Sequence, residues 1–256
     1  MHSSTPPDTP SPGSPDNEAS ADASARPRRR PLGGPSFDPA AQPWEANPTG
    51  LQAVPLEMLT ADGLRARFAR PPAWQPEPAE AWLTRFPGPE TGLRLASVLV
   101  PLIMRPDGLH VMLTQRTAHL HDHAGQVSFP GGRVEKTDAS VMDAALREAE
   151  EETGLPRDMV EIIGQLPDYL TSTGFCIVPV VGLVQPDFVP VPDPFEVAEV
   201  FEVPLAFLMD PANHRVHSVT LPHNGRHSYY SMPWQQYFVW GATAGMLRDL
   251  YHFLST

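Results

Sequence analysis

The sequence predicts an α/β protein, an α/β/α sandwich built on a mixed sheet. Three observations predict it. Short runs rich in Val, Leu and Ile recur along the chain, residues 139–153 repeat their apolar positions at helical spacing, and a second helical stretch closes the chain at 242–254. Strands interspersed with helices bury their apolar faces best as a sheet covered on both sides.

Residues 1–48 hold 11 of the chain's 32 prolines together with many Ser, Gly and Asp. Such a composition buries too little apolar surface to offset ordering entropy and predicts a disordered tail. Over 49–94 a short helix at 61–68 ends at Pro71 and Pro72, and a Pro-rich connector over 71–89 follows. The main domain is expected over 95–256. Residues 95–104 read as a buried strand in which Pro101 implies an edge position or a bulge. The turn Pro106-Asp107-Gly108 leads into a strand at 109–114, and a short strand at 126–129 ends at Pro130-Gly131-Gly132. Two glycines there free the backbone to turn sharply and approach a ligand. In the helix at 139–153, Val141, Ala144, Ala145, Leu146 and Ala149 share a face, Asp138 or Ser140 caps the start, and Gly154 and Pro156 stop it. Strands are expected at 160–166, 177–184, 198–203, 215–220, 227–231 and 237–240. No internal repeat is visible.

The net charge of -12 argues against a general nucleic-acid binder, which needs a basic surface. Arg26, Arg28, Arg29 and Arg30 lie among Asp16, Glu18 and Asp22 and read as a solvated tail. The lone Cys176 cannot form an internal disulfide, and a reducing cytoplasm is the expected setting. No apolar run reaches the roughly 18–20 residues that span a bilayer, and the N-terminus lacks the charged-then-apolar order of a secretory signal.

The segment Arg147-Glu148-Ala149-Glu150-Glu151-Glu152-Thr153-Gly154-Leu155 carries the chemistry. On a helix, Glu148, Glu151 and Glu152 stand at i, i+3 and i+4, so their carboxylates share a face, and Glu150 points elsewhere. Like charges at those spacings repel, and oxygen-only donors select a hard cation, Mg²⁺ or Mn²⁺. Glutamate-rich composition alone reads as a solvated face. The glycine pair upstream, Arg147 beside the first carboxylate, and Gly154 after the last favour a metal site instead.

This combination resembles the signature of the Nudix hydrolases, in which a glycine, a spaced acidic residue, Arg-Glu and Glu-Glu-x-Gly form a loop, helix and loop. The likeness covers 132–155, with Asp138 standing for the family's first glutamate and one extra residue between Gly132 and Arg147. The longer spacing resembles the coenzyme A pyrophosphatase branch. The resemblance implies a Nudix-type sandwich in which Glu148, Glu151 and Glu152 hold divalent metal, the Gly131 carbonyl completes a shell, and Arg147 orients a carboxylate. Metal ions would offset the charge of a diphosphate and lower the pKa of an attacking water. Glu152, Glu196 and Glu199 are the candidates to take that water's proton.

Upstream, Met112-Leu113-Thr114-Gln115-Arg116-Thr117, Gly125 and Phe129-Pro130-Gly131-Gly132 match in spacing the block that precedes the Nudix box in coenzyme A pyrophosphatases. His121 stands where that block has Arg, a weaker cation near neutrality. Thr114, Arg116, Gly125 and Phe129 are thereby implied in substrate binding. Arg116 is suited to fork onto a phosphate, or equally to a strand-end salt bridge. His119, His121 and His123 alternate along the chain, but no Cys or acidic cluster at zinc spacing accompanies them, and the likeness assigns the segment to the substrate loop. The implied reaction is metal-dependent hydrolysis of coenzyme A or a derivative to 3′,5′-ADP and 4′-phosphopantetheine or its acyl form. A small nucleotide is the expected partner, with neither nucleic acid nor membrane. The alternatives are a Nudix pyrophosphatase for ADP-ribose or a dinucleotide, and a noncatalytic Nudix-fold binding module.

Overall fold

Branched aliphatic residues at 94–105 form the centre of the main sheet. The computed structural model describes residues 37–46, 50–76, 92–119, 125–171, 173–221 and 225–256. In chain order these form β1 (Trp44–Ala46), α1 (Ala61–Ala69), β2 (Arg94–Arg105), β3 (Gly108–Arg116), β4 (Val127–Ser128), β5 (Gly131–Arg133) and α2 (Val141–Thr153). There follow β6 (Val160–Gln165), β7 (Tyr169–Leu170), β8 (Phe175–Val184), β9 (Val197–Pro204), α3 (Leu205–Leu208), β10 (Arg215–Leu221), β11 (Gly225–Trp234), β12 (Tyr237–Trp240) and α4 (Gly241–Ser255).

The main sheet has eight strands, with β4-β3-β2-β8-β6 as its path and β5, β7 and β9 paired to β2, β8 and β3. It is mixed, because β2 and β8 run parallel from Arg94 opposite Phe175 to Ile103 opposite Val184, while the other pairs are antiparallel. Alternation along β2 sorts its side chains onto two faces. Leu99 and Ile103 pack with Ala145 and Ala149 of α2, whereas Val98, Val100 and Leu102 join a larger core with Leu247, Leu250 and Phe253 of α4 and Leu64 of α1. Helices thus cover both faces, giving the α/β/α sandwich.

Pro101 departs from expectation. It stands in a central strand, flanked by β8 on one side and by β3 and β5 on the other. Leu99 donates its N–H to Pro130 O at 2.9 Å, so position 101, two residues on, presents its imide nitrogen to the same side. There β5 has ended at Ala96–Val98 and β3 begins only at Leu102, so the missing N–H leaves no ladder bond unmade.

A second, four-stranded antiparallel sheet in the order β1-β10-β11-β12 was not foreseen as separate. Its edge strand β1 lies within the stretch expected to be a tail. Positions 1–36 and 47–49 are outside the described residues, but 37–46 pack on this sheet: Tyr229 donates to Pro39 O at 2.7 Å, and Trp44 pairs opposite His217. Helix α4 lies against both sheets. Gly245 faces Tyr169 of β7 and Thr243 donates to Val127 O at 3.0 Å, while Met232 and Val239 of the small sheet share its core cluster. Hence α4 is buried nearly all round, even at Arg248 and Asp249. Arg248 donates to Nδ1 of His214 at 3.0 Å, which leaves the His214 Nε2–H to donate to Leu208 O at 2.7 Å. Burial pushes the His214 pKa down to about 4, with the Arg248 charge adding to the fall against the Leu208 hydrogen bond. Among the described residues no helix is long and apolar enough to cross a membrane.

Candidate active site

Helix α2 presents the acidic residues, and its ends are chemically defined. The Ser140 hydroxyl accepts from the Asp143 N–H, and Gly154 closes the helix in the left-handed region at φ 68° with its N–H donating to Glu150 O. Of the two capping candidates, Ser140 takes the role, and Asp138 is used elsewhere.

The Arg147 guanidinium gathers the carboxylates at the start of the site. It holds Asp138 through Nε at 2.8 Å and Nη2 at 3.1 Å, and its Nη1 reaches both Glu148 and Glu151 at 3.0 Å. Nη2 also donates to Arg133 O at 3.3 Å. Glu148 lies against the glycine pair, where a Cβ on Gly132 would overlap its carboxyl group. Burial raises the Glu148 pKa, the Arg147 charge opposes it, and the charges of Glu151 and Glu196 add to the rise.

Glu152 is 4% exposed. Its Oε2 accepts from the Gly131 N–H at 3.3 Å and its Oε1 lies 3.4 Å from Arg116 Nη1. Burial pushes its pKa up to about 7; Arg116 and the Gly131 amide oppose this, and the charges of Glu148 and Glu196 reinforce it. A buried carboxylate and a half-buried one, both raised by burial and by the Glu196 charge, form a site of strongly negative potential.

The three carboxylates differ in exposure. The Glu151 side chain is 59% exposed and shares Nη1 of Arg147 with Glu148. Glu148 and Glu152 remain the inward pair. The fit to a hard divalent cation is good for that pair, since the donors are all oxygen, both are desolvated, and Gly132 leaves no side chain over Glu148. Glu150 points away, as expected, to Arg157 at 3.2 Å.

The upstream block is divided by the fold. Arg116 reaches Glu152, so of its two expected roles the salt bridge is the one the structure holds. Thr114 and Phe129, implied as substrate contacts, are instead interior. Thr114 is 1% exposed and bonds Ser128 across the β3–β4 ladder, and Phe129 is 2% exposed in the larger core. Gly125 serves the turn, with φ 72° and its N–H donating to Arg116 O at 3.2 Å. His121 and His123 lie outside the described residues, and His119 packs near Phe195 with ring centres 5.1 Å apart. Of the proton acceptors considered, Glu196 acts on both inner carboxylates, whereas Glu199 is hydrogen-bonded to the Tyr237 hydroxyl. Of the two glycines read as a close approach, Gly132 is the one that backs Glu148, and the Arg133 carbonyl beside it, which the sequence did not single out, accepts from Arg147.

A family profile described as NUDIX domain matches residues 93–223, more than half of the chain. A Nudix hydrolase named NudL from Escherichia coli O1:K1, itself uncharacterised, is 48% identical over 159 residues, covering 61% of this chain and 81% of that one. NudL from Cronobacter sakazakii matches with the same identity and coverage. Among solved structures, the Nudix hydrolase RenU from M. smegmatis aligns with a TM-score of 0.40 and 24% identity over 44% of this chain and 72% of its own.

Proposed function

The chain belongs to the Nudix family, and from that membership we propose that it hydrolyses the diphosphate bond of coenzyme A or its derivatives, giving 3′,5′-ADP and 4′-phosphopantetheine or the acyl form. As a Nudix hydrolase it acts on a pyrophosphate bond. The observation that carries the narrower reading is Arg116: the block whose spacing resembles coenzyme A pyrophosphatases brings a guanidinium to 3.4 Å from the buried Glu152 carboxylate.

Glu148 and Glu152, with Glu151 beside Glu148, would hold the divalent cation, and the Gly131 carbonyl would be a further oxygen donor. When bound, the cation offsets diphosphate charge and lowers the pKa of the attacking water. Arg147 keeps Glu148 oriented through the hydrogen bond anchored on Asp138. Arg116, 3.4 Å from Glu152, would fork onto a phosphate oxygen of the substrate. Glu196, whose charge reaches both inner carboxylates without being spent on either, accepts the proton of the attacking water.

The deciding experiment incubates the protein with Mg²⁺ or Mn²⁺ and a panel of coenzyme A, acyl-coenzyme A, ADP-ribose, NADH and dinucleoside polyphosphates, with products resolved by mass. The expected result is 3′,5′-ADP from coenzyme A at the highest kcat/KM. Faster turnover of ADP-ribose or NADH would replace the substrate class and spare the diphosphatase reaction. Turnover of nothing, with nucleotide binding retained, would point to a noncatalytic module.

A further inference from the structure

We propose that Arg133 and Arg94, gathered around the Phe175 ring, form a second anion subsite that receives a monophosphate borne elsewhere on the sugar of the nucleotide substrate. The subsite deepens the coenzyme A reading and rests on it.

Sheet register brings these residues together. Arg133 of β5 stands opposite Ala96 of β2, and Arg94, two residues before Ala96, stands opposite Phe175 of β8. A spacing of two along a strand keeps side chains on one face, so Arg133, Arg94 and Phe175 share it. That face is the one carrying Val98 and Val100, opposite the face of Leu99 against α2. The Arg94 guanidinium carbon lies 3.9 Å from the Phe175 ring centre and that of Arg133 5.6 Å. Their charges therefore lie no farther apart than the sum of those distances, and each is steered by the same aromatic ring.

Their bonding differs from that of the arginines in the acidic site. Arg116 and Arg147 face carboxylates, whereas among the described residues neither Arg94 nor Arg133 has a carboxylate within ion-pair distance. Arg94 is pinned by one nitrogen, Nη2 donating to Thr173 O at 2.7 Å, and its remaining N–H groups are not used in that bond. Arg133 is exposed. In a chain with 30 acidic and 18 basic residues, two neighbouring guanidinium groups with no acidic partner among the described residues suit an external anion.

The position suits a substrate with two anionic groups. The Arg133 carbonyl accepts from Arg147, and the preceding Gly132 backs Glu148. The glycine that backs the Glu148 carboxyl is thus the immediate sequence neighbour of the second basic position. A nucleotide with a diphosphate on one sugar carbon and a monophosphate on another presents its charges in this way.

The test compares coenzyme A with dephospho-coenzyme A, which lacks only the sugar monophosphate, for the parent, Arg133→Gln and Arg133→Lys. Arg133→Gln should lower kcat/KM for coenzyme A by roughly 10- to 100-fold, the range of a lost charge-assisted hydrogen bond, chiefly through KM. It should change the value for dephospho-coenzyme A by less than about threefold, and Arg133→Lys should recover part of the loss. Equal losses on both substrates, or an unchanged preference, would overturn the subsite. Calorimetric binding of 3′,5′-ADP against 5′-AMP keeps the question separate from turnover. If the parent cleaves neither coenzyme, the substrate reading fails, yet a preference for 3′,5′-ADP that Arg133→Gln abolishes would uphold the subsite, and no preference would end it.

Discussion

Arg147 and Asp138 form a two-pronged ion pair, Nε to Oδ1 at 2.8 Å and Nη2 to Oδ2 at 3.1 Å, with the Asp138 side chain only 2% exposed. The fork fixes the plane of the guanidinium, and its third nitrogen is thereby aimed at Glu148 and Glu151. Asp138 is itself steadied by the Glu135 N–H at 2.7 Å. Hydrogen bonds from Arg147, then from that amide, bring its pKa down to about 2.

Asp138→Asn keeps the shape and removes the charge, so Arg147 loses the partner that sets its plane. Steady-state assays should show kcat lowered roughly 10- to 100-fold, the usual scale for losing a group that orients a ligand, with KM little changed. A kcat equal to the parent's would mean that Glu148 is positioned without Arg147.

The parts of this site that were legible in the sequence are those set by local rules. Ser140, the apolar spacing of α2 and Gly154 act within a turn or two of one another, so helix and caps could be read directly. The interior placement of Thr114 and Phe129 could not, because a motif match names residue types and leaves open which side of the ladder faces solvent. Pro101 misled for a related reason. The rule that bars proline from central strands assumes a partner for every N–H, and here β5 and β3 hand over at that position. The division into two sheets, and the gathering of Arg94, Arg133 and Phe175, depend on pairing between distant segments, which no local pattern encodes.

Glu152→Gln removes a desolvated charge while keeping nearly the same shape. Activity should fall by at least about 10²- to 10³-fold. In metal-free buffer the variant should melt higher than the parent, since a buried carboxylate beside Glu148 and Glu196 costs stability. Added Mn²⁺ should raise the melting temperature of the parent more than that of the variant, as expected when an ion binds the native state through the missing group. Glu150→Gln, which breaks only the exposed pair with Arg157, should match the parent in both measurements. Similar activities for the two variants would remove Glu152 from the chemistry.

Gly132→Ala places a methyl group where the Glu148 carboxyl now lies. The carboxyl can swing aside, so the protein should fold with near-parental circular dichroism. Displacing a cation-holding group by about an ångström should nevertheless lower kcat/KM by about 10²-fold. Full activity would show that Glu148 does not need its present position.

His214 makes stability depend on pH. It is neutral in the folded chain down to about pH 4, whereas in the unfolded chain it gains a proton near 6.5. Between those values the unfolded state binds more protons, so stability falls as pH drops from 6.5 toward 4 and is level above. At about 1.4 kcal/mol per pKa unit, the window spans about 3 kcal/mol. Urea unfolding of the parent and of His214→Asn across that range should show a shallower pH slope in the variant. Identical slopes would assign the acid sensitivity to other groups.

The small sheet sets a lower limit on how far this chain can be trimmed. The region matched by the family profile ends at residue 223, between β10 and β11, and starts at residue 93, after β1. A chain cut to those limits would retain β10 without either neighbour, a seven-residue strand with two open hydrogen-bonding edges, and would lose α4 from the middle of the larger core. Bare strand edges recruit one another between molecules. The span that the family profile matches is therefore smaller than the unit that closes both sheets, and expressing residues 93–223 by themselves should yield aggregate rather than enzyme.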